Sequence, residues 1–181
     1  MTLYAALLRG INVGGSKKLP MAELRDLLGE LGHGDVRTHL QSGNAVFSSD
    51  DSDPDALAAA LEKAIAARFG FDVGCLVRDH GYLQGIVDAC PFPADSLEGK
   101  QLHVTYFSAD PDPERFAGID TARYLPEEFR LGDRALYLYA PEGLGKSTLA
   151  PVLSRPAVTK GLIATSRNWN TVSKLAELTH G

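Results

Sequence analysis

The residues best suited to chemistry lie in a few short stretches. The first is Arg9–Lys18, RGINVGGSKK, which carries Arg9, Lys17 and Lys18 and lies in a segment with no carboxylate through residue 22. Asn12, Gly14, Gly15 and Ser16 make it a segment that bends sharply and presents bare backbone N–H groups. Cations around exposed amides form an anion site. A glycine-rich connection solvated by its own lysines is the plain alternative.

The second stretch is Gln41-Ser42-Gly43-Asn44. Its amide side chains can donate to a ligand, or cap backbone groups in a hairpin turn. The third is Thr165-Ser166-Arg167-Asn168-Trp169-Asn170-Thr171. Ser166 suits a helix N-cap, with the helix expected over Ser166–Leu178. Arg167 would then be a cation in the first turn, opposed by the helix dipole unless an anion or a protein carboxylate sits beside it. Trp169, Val172 and Ala176 would form the apolar stripe of that helix.

A fourth stretch, Ala140-Pro141-Glu142-Gly143-Leu144-Gly145-Lys146-Ser147, satisfies a relaxed phosphate-loop pattern. Pro141 removes one amide, Pro151 leaves little helix behind Ser147, and too few residues follow to build a parallel nucleotide sheet. These features favour a glycine-rich turn. Histidines 33, 39, 80, 103 and 180 are scattered, and Cys75 and Cys90 fit no zinc spacing. No metal site and no cofactor is expected.

These residues must be positioned by regular elements. Leu3–Leu8 reads as a buried strand. Pro20 opens a helix in which Met21, Leu24, Leu28 and Leu31 recur at helical spacing. Val36–Leu40 and Asn44–Ser48 read as a hairpin. Asp53 caps a helix that starts at Pro54, buries Leu57, Leu61, Ile65 and Phe69, and stops at Gly70. Phe71–Val77 reads as a fourth strand. The order is β-α-β-β-α-β, the ferredoxin-like pattern. Arg78–Ala89 follows as a linking helix with Tyr82, Ile86 and Ala89 inward. Beyond it come a strand at Gln101–Ser108, a hairpin from Phe129–Leu131 and Ala135–Tyr139, a last strand at Val158–Ile163, and the terminal helix.

The expected fold is therefore α+β, two ferredoxin-like subdomains with mainly antiparallel sheets. Residues 1–78 form the first, 79–99 a linker, and 100–181 the second. The duplication is inferred from element order, since no repeat is visible in the sequence itself.

The chain has 181 residues, a net charge of −5, and 44% hydrophobic content. That balance argues against coating nucleic acid by bulk electrostatics. The charge is segregated, however. Residues 143–174 hold Lys146, Arg155, Lys160, Arg167 and Lys174 and no acid, so the two basic ends can form one surface if the fold unites them. No signal peptide or membrane span is evident, and a cytoplasmic protein is expected.

The blocks LLRGINVGG…KLPMAELRDLL, QSGNAVF and ATSRNWNTVSKL resemble the bacterial family called domain of unknown function 1697, from Leu3 to Leu178. The resemblance implies two ferredoxin-like halves and brings no established activity. Its prominent blocks fall on Arg9, Gly10, Asn12, Gly14 and Gly15, on Gln41, Ser42, Gly43 and Asn44, and on Arg167, Asn168, Trp169, Asn170 and Thr171.

The expected function is binding of a phosphorylated or anionic ligand, a nucleotide or short nucleic acid. The expected ligand set is Arg9, Asn12, Gly14, Gly15, Gln41, Asn44, Arg167, Asn168 and Asn170. Two alternatives stay open. One is an enzyme of unidentified reaction type, with no nucleophile–base pair in view. The other is a structural or interaction protein in which these residues fix turns.

Overall fold

The apolar run near the N-terminus forms strand β1 (Thr2–Leu8) in a computed structural model that describes residues 1–40 and 43–181. Helix α1 (Met21–Glu30) buries Met21, Leu24, Leu27 and Leu28. Strands β2 (Gly34–His39) and β3 (Asn44–Ser49) follow. Helix α2 (Pro54–Phe69) is capped by Asp53, whose carboxylate accepts from the Asp55 and Ala56 amides. Strand β4 (Cys75–Asp79) completes a four-stranded antiparallel sheet in the order β2-β3-β1-β4. Its core joins Tyr4, Ala6 and Leu8 to Phe47, Val77 and the inner stripes of α1 and α2. The other face of β1 is buried too, with Ala5 and Leu7 fully inaccessible.

The chain divides into two units. The first is Met1–Leu83 with Leu175–Gly181, and the second is Gln84–Lys174. It leaves the first unit within helix α3 (His80–Asp88). The second unit holds strands β5 (Leu102–Phe107), β6 (Glu128–Gly132) and β7 (Ala135–Tyr139). Short helices α4 (Leu149–Leu153) and α5 (Pro156–Thr159) precede strand β8 (Ala164–Asn168). Helix α6 (Trp169–Leu178) returns the chain to the first unit. The second sheet is also antiparallel, in the order β6-β7-β5-β8, so each unit has one architecture, α+β with the same strand order. Where the first unit has α1, the second has only the 3-10 turns Pro113–Phe116 and Thr121–Tyr124. Among the described residues no helix is long and apolar enough to cross a membrane.

The structure corrects several expected bounds. The fourth strand starts at Cys75, not Phe71, because β1 ends at Leu8 and Leu8 pairs with Cys75. Within α3 the buried residues are Leu83 and Ile86, while Ala89 lies exposed beyond its end. Val158–Ile163 is not a strand, since Pro156 opens the one-turn helix α5. The last strand is Ala164–Asn168, paired with Phe107–His103. The terminal helix therefore starts at Trp169, and Ser166 and Arg167 belong to a strand.

A repeat invisible in the sequence appears at the ends of β4 and β8. Ala5 faces Arg78 in one register and Val104 faces Arg167 in the other. Both arginines are buried. Each donates from Nη1 to the carbonyl of the residue before it, Val77 or Ser166, at 2.9 Å. The next residue caps the following helix in both cases. Asp79 accepts from the Tyr82 amide at 2.9 Å, and Asn168 from the Thr171 amide at 3.1 Å.

The β2–β3 turn shows how tightly this end of the first sheet is built. Gly43 has φ +95°, and a Cβ there would stand 2.9 Å from Ile11 Cδ1 and 3.0 Å from Leu8 Cβ. Gly14 also has positive φ, but no atom lies within 4 Å of its Cβ position. Gly43→Ala should cost about 3 kcal/mol, combining backbone strain with overpacking. Gly14→Ala should cost only about 1 kcal/mol. Urea denaturation of the two variants checks the difference.

Candidate functional site

The Arg9–Lys18 stretch is the loop between β1 and α1. It hangs from two fully buried anchors, Ile11 and Leu19. Between them the chain turns back on itself as a miniature hairpin. The Asn12 amide donates to the Lys17 carbonyl at 3.1 Å, and Val13 bridges Ser16. Gly14 and Gly15 form the tip, both with positive φ, as a tight primed turn requires. Asn12 holds the neck. Its Nδ2 donates to the Leu19 carbonyl at 2.9 Å, and its Oδ1 accepts from the Leu19 amide at 2.8 Å.

Lys17 Nζ donates to the Asp72 carbonyl at 2.8 Å, tying the loop to the segment before β4. Arg9 and Lys18 are exposed. This end of the sheet thus gathers the 9–19 loop, the β2–β3 turn and the 70–74 segment. The Leu8 amide donates to the Gly43 carbonyl and the Arg9 amide to the Gly74 carbonyl, each at 2.9 Å.

The sequence-predicted residues divide by unit. Arg9, Asn12, Gly14, Gly15 and Asn44 lie in the first, and Arg167, Asn168 and Asn170 in the second. Gln41 and Ser42 lie outside the described residues. Asn44 pairs with Leu7 across the sheet, so it stands at the same sheet end as Arg9. Its side chain is fully buried, and Nδ2 donates to the His39 carbonyl at 2.9 Å. That is a hairpin cap.

Arg167 is not a first-turn cation. It alternates with exposed Ser166 along β8, is 8% exposed, and donates to Thr165 Oγ1 at 2.7 Å. Burial lowers its pKa to about 10 while neighbouring Tyr106 acts in the opposite direction, so it stays charged at neutral pH. The exposed Asn170 packs its amide against Gly99, where a Cβ would overlap it.

The segment that resembles a phosphate loop already holds an anion of its own. Ser147 donates its hydroxyl to the Glu127 carboxylate, and Thr148 donates its amide at 3.1 Å and its hydroxyl at 2.9 Å. Ser147 Oγ also accepts from the Ala150 amide at 2.9 Å, closing the start of α4. A side-chain carboxylate therefore occupies the Ser147 hydroxyl that a phosphate-loop metal would need, and the Gly143, Lys146 and Ser147 amides are bonded within the turn. Burial pushes the Glu127 pKa up, but the hydrogen bonds from Ser147 and Thr148 outweigh it, and the net shift is downward.

Neither cysteine is an activated nucleophile. Burial raises both thiols, Cys75 strongly and with a further push from Glu62. Among the described residues no group of three acids, histidines or cysteines is placed to hold a metal ion.

One feature of the first unit has no counterpart in the sequence motifs. A cleft of about 680 Å³ opens at the opposite end of the sheet, lined by Asp35, Arg37, Ser48, Asp79, His80 and Thr179 among others. Asp35 has φ +49° at an irregularity in the β2–β3 ladder, and its Oδ2 accepts from Ser48 Oγ at 3.1 Å. The sequence signal was the Gly34-Asp35 pair opening a short strand, a pattern that suits a bulge.

Glu127→Gln should lower the melting temperature at pH 7, with a loss of about 1 kcal/mol for the weakened charge-assisted bonds. A carboxylate with depressed pKa stabilises above its ordinary value and loses that effect as pH falls through the folded pKa. The gap between wild type and variant should therefore close as pH falls below the ordinary carboxylate pKa of about 4.3 and on through the lower folded value. Melting curves across that range check both parts.

No curated protein matches the chain. Among solved structures, a conserved bacterial protein from Streptococcus pneumoniae, SP0830, is similar at a TM-score of 0.73 and 25% identity, covering 98% of each chain. The model of a family described as protein of unknown function, DUF1697, matches residues 1–137. That match spans most of the sequence and the whole first sheet, and the chain belongs to the DUF1697 family.

Proposed function

We propose that the protein is a cytoplasmic binding protein for a phosphate-bearing ligand, a nucleotide or short nucleic acid, taken at the β1–α1 loop of a ferredoxin-like sheet. The observation that carries this is the loop itself. It presents the exposed amides of Gly14 and Gly15 between Arg9 and Lys18, whose side chains have no protein partner among the described residues. Asn12 fixes the shape of the loop, so little ordering is needed when a ligand arrives. Arg9, Gly14 and Gly15 are the contact residues in this assignment, and Asn12 is a positioning residue. Asn44 and Arg167 support the fold through bonds to their own chain.

The test is calorimetric titration with ATP and with a short uridine oligomer. Wild type should bind at least one of them. The double variant Arg9→Ala/Lys18→Ala should weaken that binding ~10-fold or more, as expected for loss of hydrogen bonds to charged groups. For the oligomer, the dependence on salt should also flatten. Unchanged affinity in the double variant removes the loop from the site. Product formation from ATP in the same mixtures would turn the assignment toward an enzyme.

A further inference from the structure

We propose that the groove between the end of α3 and the start of α6 binds an uncharged sugar, with the ring stacked on Trp169 and its hydroxyls paired to Asp95, Ser96 and Ser173. The groove has a volume of about 500 Å³, in the range of small-molecule sites. Its lining residues all belong to the second unit. One wall is α6, where Trp169 and Ser173 are one helical turn apart and share a face. The other is the segment 90–96, with Val87 of α3 before it. Trp169 departs from the apolar stripe expected of its helix. Val172 and Ala176 are buried, while Trp169 is half-buried and lines the groove.

The 90–96 wall is fixed by the protein itself. The Ala94 amide donates to the Phe92 carbonyl at 2.8 Å, and the Ser96 amide to the Pro93 carbonyl at 2.9 Å. Pro91 and Pro93 restrict the backbone further. The Phe92 ring packs against Tyr139 with centroids 5.9 Å apart, and the Arg130 guanidinium lies 5.8 Å from its centroid. Little order is therefore lost when a ligand enters.

The polar groups of the groove select a ligand that both donates and accepts. The Trp169 indole N–H only donates, the Asp95 carboxylate only accepts, and the Ser96 and Ser173 hydroxyls do either. None of these side chains has a hydrogen-bond partner among the described residues. A sugar hydroxyl serves in both roles, and the two oxygens of a carboxylate can take neighbouring hydroxyls together. The C–H face of a sugar ring is apolar and covers the indole. Charge argues against the other classes. Asp95 is the one charged residue among the described lining, and it repels an anion. The Arg130 guanidinium on the Phe92 ring opposes a cation. An ammonium group, which only donates, would also leave the indole N–H unpaired.

Trp169 is the single tryptophan of the chain, so its fluorescence reports on the groove directly. Cys90 lines the same groove while Cys75 is buried, so protection of Cys90 from a thiol reagent is a second readout. Glucose, maltose and N-acetylglucosamine are the sugar probes, with choline as a cation, citrate as an anion and caffeine as a neutral planar ring. Titration calorimetry gives the affinities. At least one sugar should shift the fluorescence saturably and slow the labelling of Cys90. Asp95→Asn should weaken that sugar ~10-fold or more, as loss of bonds to a charged acceptor predicts. Glu142→Gln, at an exposed acid of the second unit outside the groove, should leave it unchanged. Melting temperatures near that of wild type show that both variants remain folded. Four results would overturn the assignment: no saturable binding of any sugar, unchanged affinity in Asp95→Asn, equal weakening in Glu142→Gln, or choline, citrate or caffeine bound in preference to the sugars. None of these bears on the β1–α1 loop, because the probes carry no phosphate and Arg9 and Lys18 are intact in every variant.

Discussion

Strand β1 is paired on both edges, with β3 and with β4, and its residues from Tyr4 to Leu8 are inaccessible on both faces. A polar group in the middle of the first sheet must therefore find its partners within the protein, as Arg78 does at the Val77 carbonyl. This explains the unbroken apolar run, since a strand covered on one face only would alternate. It also decides where ligand chemistry can occur. Polar side chains that need water or a ligand are displaced to the two ends of the sheet. One end holds the cationic loop with Arg9 and Lys18, and the other holds Asp35, Asp79 and His80.

Most polar residues that look available in the sequence are engaged with nearby backbone. Asn12 is matched on both sides by Leu19, Asn44 by His39, and Arg167 by Thr165 and Ser166. The segment around Ser147 shows the same economy in another form, with Glu127 seated on its donors. Left-handed backbone recurs beside such residues, at Asn12, Lys17 and Asp35. Local side-chain bonds can hold these conformations where sheet pairing cannot.

The elements with strong local signals were legible in the sequence. The apolar run, the Asp53–Pro54 helix start and the Gly132-Asp133-Arg134 turn each carry a mechanism within a few residues, and each stands where expected. What escaped depends on partners far along the chain. Thr165-Ser166-Arg167 has the alternation of a strand, but three residues are too few to outweigh a serine in cap position. Only pairing with His103–Phe107 makes it one. The Asp35–Asp79–His80 cleft was equally hidden, because its members come from β2, β4 and α3. The basic loop was legible as a loop and as a charge pattern. That Asn12 is its brace follows from a bond spanning seven residues.

The last seven residues belong to the first unit. The Ala176 carbonyl accepts a hydrogen bond from the His80 ring and the Leu178 carbonyl accepts one from Arg37, so side chains fixed early in the sequence find their acceptors more than ninety residues further on. During synthesis the ribosome delivers β1 to β4 long before these acceptors exist. The first sheet can pair as it emerges, yet these bonds form only once Leu178 has emerged, after the whole second unit has been made. Domains of nascent chains generally fold in order from the N-terminus. Here the first unit takes in residues that follow the whole second unit, and closing it is a long-range step of the kind that slows folding.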